Sequence, residues 1–202
     1  MKHIPVLDPP TLDYVCSQIE EFEAENKDVE KALRDLVDHF PSNTDTSQVL
    51  LKVVAINTLY GTQIRDVLTA TNRIIECKIE ERVKDGDAGV VDQIATMHFN
   101  GKLRYNYSFA TKYCSWHQPD LYPLYDSRVA FCLNAYNSQD HFATFTQDGL
   151  WKYETFRNVI CAFRNHYGLT SFTFKKLDEF LFQIGNRYFD AVGITVEKTG
   201  DG

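Results

Sequence analysis

The chain has 202 residues, 44% of them hydrophobic, which is enough to bury a core in one domain or in two small lobes. No stretch approaches the roughly 18 uninterrupted apolar residues of a membrane-spanning helix, and residues 1–10 lack the apolar core of a secretion signal. We therefore expect a cytoplasmic protein that does not bind membranes. The five cysteines form no CxxC pair and are odd in number, which argues against a zinc knuckle and a full disulfide framework.

The charge is unevenly distributed along the chain. The formal net charge of −7 argues against a nucleic-acid partner, because DNA binding usually needs a cationic surface. However, residues 1–50 hold eleven acids and four bases, whereas residues 51–202 hold seventeen of each. No Asp or Glu lies between Gln93 and Pro119, so a local basic surface is expected around this segment. An acid-free window of this length also arises by chance.

The N-terminal quarter predicts two acidic, amphipathic helices. Apolar residues at helical spacing predict one helix from Thr11 to about Glu25 and another from Asn26 to Phe40. A segment rich in turn and capping residues follows. We therefore define residues 1–44 as a two-helix N-terminal extension, whose acidic surface is a candidate binding site for a basic protein partner.

Residues 45–193 form the predicted core. A helix that Thr46 or Ser47 caps should end at Gly61, and the next should run from about residue 62 to Val83. A short helix around Val90 and a turn at residues 100–101 precede a helix over residues 108–117.

Asp126 should open the following helix, and two long helices joined near Gly168 close the core. The tail, residues 194–202, should fray. Alternating strand patterns are nearly absent, so the fold class is all-α, with roughly eight to ten helices.

Lys112 and Asp126 are the candidate catalytic residues. Lys112 follows Phe109 by three residues and precedes Trp116 by four, which places its amine on the aromatic face of the helix. A nucleophilic lysine must be a neutral amine, and a poorly solvated position favours that form. Asp126, as a helix N-cap, directs its carboxylate at a helix entrance. Taken singly, each has a plainer explanation, as a surface lysine and as a cap.

The order of these residues resembles the helix-hairpin-helix DNA glycosylases, most closely their bifunctional 8-oxoguanine members. A Thr-Lys pair inside a helix, at residues 111–112, is followed by Pro123 and by the Asp-Ser-Arg of residues 126–128. Upstream, residues 49–67 are similar to the helix pair of that family. The similarity covers roughly residues 45–137. It implies that Lys112 attacks the sugar of a damaged purine nucleotide through a Schiff base and that Asp126 supports the reaction.

The resemblance also implies a partner and a binding surface. The expected partner is double-stranded DNA, bound by a monomer without cofactor or metal. Asn57 and Tyr60 match the region of the family that approaches DNA, although both also fit a helix end and the edge of a core. Together with Lys102, Arg104 and Arg128 they are the candidate nucleic-acid contacts. We expect the charged groups of the catalytic pair to lie within about 8 Å in one cleft.

The sequence departs from the family in three places. The Gly-x-Gly turn of the hairpin is missing at residues 103–108, the spacing from Lys112 to Asp126 is short, and the four-cysteine cluster is absent. No iron-sulfur cluster is therefore expected. Two alternatives remain: a catalytically silent relative that binds nucleic acid or protein through the same groove, and a helical interaction protein whose acidic N-terminus binds a basic partner.

Overall fold

The computed structural model describes residues 5–191, which are mostly helical. The helices are α1 (Leu12–His39), α2 (Thr46–Tyr60), α3 (Val67–Glu76), α4 (Glu80–Lys84), α5 (Gly89–Ala95), α6 (Tyr107–His117), α7 (Ser127–Asp140), α8 (Tyr153–His166) and α9 (Phe174–Ala191). Two short strands, β1 (Thr96–Phe99) and β2 (Lys102–Tyr105), pair as a hairpin, and Asp148–Trp151 forms a 3-10 turn. The prediction of a helical protein is thus confirmed. Across residues 5–191 no helix is long and apolar enough to cross a membrane. The predicted tail lies outside the described residues.

α1 is one helix of 28 residues, so the predicted division at Asn26 is wrong. The side chain of Asn26 donates to the carbonyl of Phe22 at 2.9 Å and is therefore bonded back into the helix instead of capping a new one. Thr11 caps the helix as expected, accepting from the amide of Tyr14. α1 packs against α9, and its apolar face belongs to the same hydrophobic core as the rest of the described chain.

The predicted helix over residues 62–83 is divided into α3 and α4, with a loop before it. Asp66 caps α3 by accepting from the amides of Leu68 and Thr69, both at 3.1 Å, so the helix starts at Val67, about five residues later than predicted. Gly61 ends α2 in the left-handed conformation, as predicted, with φ of 59°. Asp45, rather than Thr46 or Ser47, caps α2.

The β-hairpin was not predicted, because strands of four residues are too short to show an alternating pattern. Its turn was visible in the sequence: Asn100 and Gly101 adopt φ values of 50° and 76°, as a two-residue turn of the I′ type requires. The strands pair His98 with Leu103 at the centre. The hairpin leads directly into α6, which is buried on nearly all sides.

α9 packs closely on the start of α7. A Cβ added at Gly185 would lie 2.6 Å from the Cβ of Arg128 and 2.9 Å from its carbonyl oxygen, so only glycine allows this approach. Arg128 lies in the first turn of α7, two residues after Asp126. The contact therefore holds the end of α7 that carries the candidate carboxylate.

We predict that Gly185→Ala destabilises the fold by about 1–3 kcal/mol, because the added methyl forces the two helices apart. Urea unfolding measures this free energy. The control, Asn186→Ala in the same helix, adds no atoms and should stay within about 0.5 kcal/mol of the wild type. Equal stability of the Gly185 variant would mean that α9 can shift away from α7 without cost.

Candidate functional site

Lys112 and Asp126 form a buried ion pair, which confirms the expected proximity of their charged groups. The Nζ of Lys112 donates to the Oδ2 of Asp126 at 3.1 Å, to the Oγ of Ser108 at 2.6 Å and to the carbonyl of Tyr125 at 3.3 Å. The lysine side chain is 2% exposed and the aspartate side chain 16%. Three acceptors thus match the three donors of an ammonium group.

The chain returns from α6 to α7 through a short link, which brings this pair together. The amide of Tyr125 donates to the Oγ1 of Thr111 at 3.1 Å, so the end of the link is fixed to α6 beside Lys112. Asp126 then caps α7, since its Oδ1 accepts from the amide of Arg128 at 3.1 Å. Its two oxygens therefore have separate partners. The carboxylate also lies at the positive end of the α7 helix dipole.

Tyr60 lies against the lysine. The Nζ of Lys112 is 5.4 Å from the centre of the Tyr60 ring, and the hydroxyl of Tyr60 accepts from the Nε1 of Trp116 at 3.1 Å. Burial raises the pKa of Tyr60 well above its usual value. Tyr60, predicted as a DNA contact, thus lines the cleft but is bonded into the wall behind the amine.

Both members of the pair line a large cleft of about 1210 Å³ between the loop after α2, the β-hairpin and the start of α7. The charged residues of its lining are five basic ones and two acidic ones: Arg65, Lys102, Arg104, Lys112, Arg128, Asp66 and Asp126. The expected local positive charge is therefore present, although the protein as a whole is acidic. Of the predicted contacts, Tyr60, Lys102, Arg104 and Arg128 line the cleft.

Asn57, the remaining predicted contact, is not part of the cleft lining. Its amide holds the loop that follows α2: the Oδ1 accepts from the amide of Ile64 at 2.8 Å and from the hydroxyl of Thr62 at 2.9 Å. Its Nδ2 donates to the carbonyl of Ile64 at 3.0 Å. Asn57 therefore positions the loop instead of presenting its own side chain.

Gln63 is the residue that this loop presents. It is exposed, lines the cleft and adopts a left-handed φ of 61°, which is uncommon for a residue other than glycine. Both of its neighbours are held by Asn57. Such a backbone conformation persists where the surroundings impose it, often at functional sites. Nothing in the sequence pattern distinguished Gln63 from its neighbours.

Aromatic rings line the side of the cleft formed by the end of β2, the start of α6 and the 3-10 turn. Tyr105, Tyr107, Tyr125 and Trp151, which we call the aromatic wall, all belong to the cleft lining. The sequence could not reveal the wall, because Trp151 is far along the chain from the other three. Across residues 5–191 no group of three or more His, Cys, Asp or Glu side chains could hold a metal ion.

Behind the Lys112–Asp126 ion pair lies a layer of buried charge from α9. Lys175 pairs with Glu30 of α1 at 3.0 Å, and its Nζ lies 5.0 Å from the ring of Trp116. Asp178 is 7% exposed, and its Oδ1 is buried without a hydrogen-bond partner. Burial raises the pKa of Asp178 to about 8, although the charges of Lys175 and Lys112 act in the opposite direction. This carboxyl group therefore keeps its proton near neutral pH. Its position was not predicted.

Comparisons with known proteins give a family but no activity. Residues 12–121 match the family model HI_0787_N, described as an N-terminal domain. The chain is similar to an uncharacterized protein of Haemophilus influenzae, with 34% identity over 148 residues that cover 73% of this chain and 71% of that protein. No solved structure matches.

We predict that Asp178→Asn flattens the dependence of stability on pH. With a folded pKa of about 8, above the usual value of 3.8, the native carboxyl keeps a proton that the unfolded chain loses. Wild-type stability should therefore fall as the pH rises from about 4 to about 8, by at most about 1.4 kcal/mol per pH unit from this group. The asparagine variant lacks this contribution.

Urea unfolding across this pH range measures the slope. The control is Asp13→Asn, an exposed carboxylate in the first turn of α1, which should keep the wild-type slope. An unchanged slope in the Asp178 variant would mean that this carboxyl group is ionised in the folded protein.

Proposed function

The chain belongs to the HI_0787_N family, and we propose that it is a DNA glycosylase with AP lyase activity, acting on a damaged or modified purine. The proposal also includes the helix-hairpin-helix glycosylase type of fold, which the sequence resembles. One observation carries it: an amine and a carboxylate, 3.1 Å apart, belong to the lining of a cleft in which basic residues outnumber acidic ones. The amine supplies a nucleophile and the cations supply contacts for phosphate groups.

The pair has the composition that this reaction requires. Lys112 passes its ammonium proton to Asp126 and, as a neutral amine, attacks the C1′ carbon of the sugar. The bond from C1′ to the base breaks, and the base leaves with the electron pair and takes the proton from Asp126, which becomes a carboxylate again. Asp126 stabilises the positive charge that develops on the sugar. The sugar ring opens to a Schiff base, and loss of a C2′ proton expels the 3′ phosphate, which cuts the strand.

The loop after α2 fits a role in exposing the base. An enzyme that acts on a base in a duplex must extrude it and fill the gap that remains. Gln63 is an exposed side chain of the cleft with a constrained backbone, and Asn57 fixes both of its neighbours. We assign to Gln63 the filling of that gap, and to Asn57 the positioning of the loop.

A second candidate function is binding of nucleic acid without catalysis. One observation in its favour is the β-hairpin at residues 96–105, which lies where the resemblance predicts a Gly-x-Gly hairpin. The other is that three acceptors hold the Lys112 amine as an ammonium, which is not nucleophilic. The two functions differ in one measurable property, the formation of a covalent bond to DNA.

We predict that borohydride traps the protein on DNA that carries an oxidised or alkylated purine, because reduction of the Schiff base fixes the enzyme to the sugar. Lys112→Gln should abolish trapping, and circular dichroism should show that the variant is folded. The matched control is Lys102→Gln, a second lysine of the same cleft, which should weaken binding and leave trapping intact at saturating protein. Undiminished trapping in Lys112→Gln would assign the chemistry to another amine. No trapping on any lesion, with DNA binding retained, would favour the silent binding protein.

We predict that Asp126→Asn slows trapping by roughly 100-fold or more, because the neutral amide stabilises the developing charge poorly. The α7 cap should survive, since asparagine caps helices nearly as well as aspartate. Loss of the carboxylate beside a buried ammonium should still cost about 1–3 kcal/mol of stability. Single-turnover trapping and urea unfolding measure the two effects. An unchanged rate would remove Asp126 from the reaction.

A further inference from the structure

The aromatic wall presents ring surface to the cleft. Trp151 is 50% exposed and Tyr105 is 44% exposed, although large aromatic side chains are usually buried. Both lie on buried tyrosines: the rings of Tyr105 and Tyr107 are stacked with an interplanar angle of 10°, and Trp151 lies 5.4 Å from Tyr125. The exposed rings therefore stand on a packed support.

The support is held in place from several sides. Tyr107 is 1% exposed and Tyr125 is 6% exposed, and their ring centres are 4.7 Å apart. The amide of Tyr125 is bonded to Thr111 of α6, and the hydroxyl of Tyr105 donates to Asp92 of α5. Because the wall is fixed before a ligand arrives, little side-chain freedom is lost when a flat ring stacks on it.

Cations surround these rings. Lys102 and Arg104 project from β2, directly before Tyr105, and Arg65 lies in the loop after α2. Within residues 5–191 none of these three forms an ion pair. Uncompensated cations beside exposed aromatic rings are the combination by which proteins hold single-stranded nucleic acid, with phosphates on the cations and base faces on the rings.

The exposed rings favour single-stranded over double-stranded DNA. In a duplex the faces of the bases stack on one another and cannot lie against a protein ring, so only unpaired bases offer them. The cleft, at about 1210 Å³, also exceeds the roughly 300–1,000 Å³ typical of a site for one small molecule. Both its size and its lining thus fit several consecutive nucleotides.

We propose that the cleft binds DNA in single-stranded form, with Trp151 and Tyr105 stacking on unpaired bases next to the nucleotide that reaches Lys112. The preferred substrate is therefore a lesion in a single strand or an unpaired region, and the role of Gln63 in filling a gap applies only when the lesion lies in a duplex. The proposal rests on the proposed function for its chemistry, whereas the binding surface can be tested independently of it.

The experiment compares one labelled oligonucleotide of about 12 nucleotides, carrying an oxidised purine, as a single strand and in a duplex. Fluorescence anisotropy should show binding to the single strand at least about 10-fold tighter than to the duplex. Trp151→Ala should weaken single-strand binding by about 5- to 100-fold, the range expected for the loss of one stacked base. Trp151→Phe should restore most of it. Phe40→Ala, which removes an exposed aromatic ring outside the cleft lining, is the matched control and should bind as the wild type does.

Tryptophan fluorescence gives a direct readout of stacking. The chain has two tryptophans, and Trp116 is 3% exposed, so quenching by the single strand should come from Trp151 and disappear in Trp151→Phe. Equal or tighter binding to the duplex, or single-strand binding that Trp151→Ala leaves unchanged, overturns the proposal.

Borohydride trapping on the same two DNA forms separates the two proposals. Trapping that is as efficient on the duplex as on the single strand rejects the single-strand preference and leaves the glycosylase function standing. Tight single-strand binding that depends on Trp151, without trapping, supports the binding surface and rejects the glycosylase.

Discussion

The burial of the Lys112 ammonium is the constraint on which the site depends. Removing such a charge from water costs on the order of several kcal/mol, and the cost is offset only where good acceptors surround it. The acceptors come from three consecutive pieces of chain: Ser108 of α6, the carbonyl of Tyr125 in the link, and Asp126 at the start of α7. If any of these pieces moved, the ammonium would lose a partner. The ion pair therefore helps to fix the position of α7 relative to α6.

The need to pair the charges of α9 also explains why α1 is acidic. α9 carries Lys175, Lys176 and Arg187, and each of them pairs with a glutamate of α1: Glu30, Glu23 and Glu21 respectively. Part of the negative charge of the N-terminal quarter thus forms ion pairs inside the molecule, with the helix that packs behind the Lys112–Asp126 pair. The protein can therefore have a formal charge of −7 and still present a cationic cleft, because the acidic excess lies in residues 1–50 and the cleft lining has five basic and two acidic residues. Net charge alone was a poor guide to the charge of the cleft.

Features that depend on neighbouring residues, such as helix caps, were predictable from the sequence. Features that depend on residues far apart in the chain were not. The caps at Gly61 and Asp126 and the helix start at Thr11 were identified correctly, because a cap depends on residues within one turn, although the cap of α2 was placed one or two residues late. The pairing of Lys112 with Asp126 came from the order of short motifs. In contrast, the pKa of Asp178 is raised by burial under other helices, which the sequence does not show. The exposure of Trp151 depends on the position of the 3-10 turn relative to α6. The break predicted in α1 failed because a capping residue type is also compatible with a helix interior.

The proposed reaction requires an arrangement of the site that differs from the resting one. An ammonium held by three acceptors is stable and is not a nucleophile, so the amine must lose both a proton and part of this cage before it can attack. Asp126 is the one acceptor of the three that is both anionic and able to take the proton. Its other oxygen remains bonded to the amide of Arg128, so the carboxyl group can change its charge without leaving the helix entrance. Because the N-cap of α7 is also a proton acceptor, the proposed reaction can move the proton while the backbone stays in place.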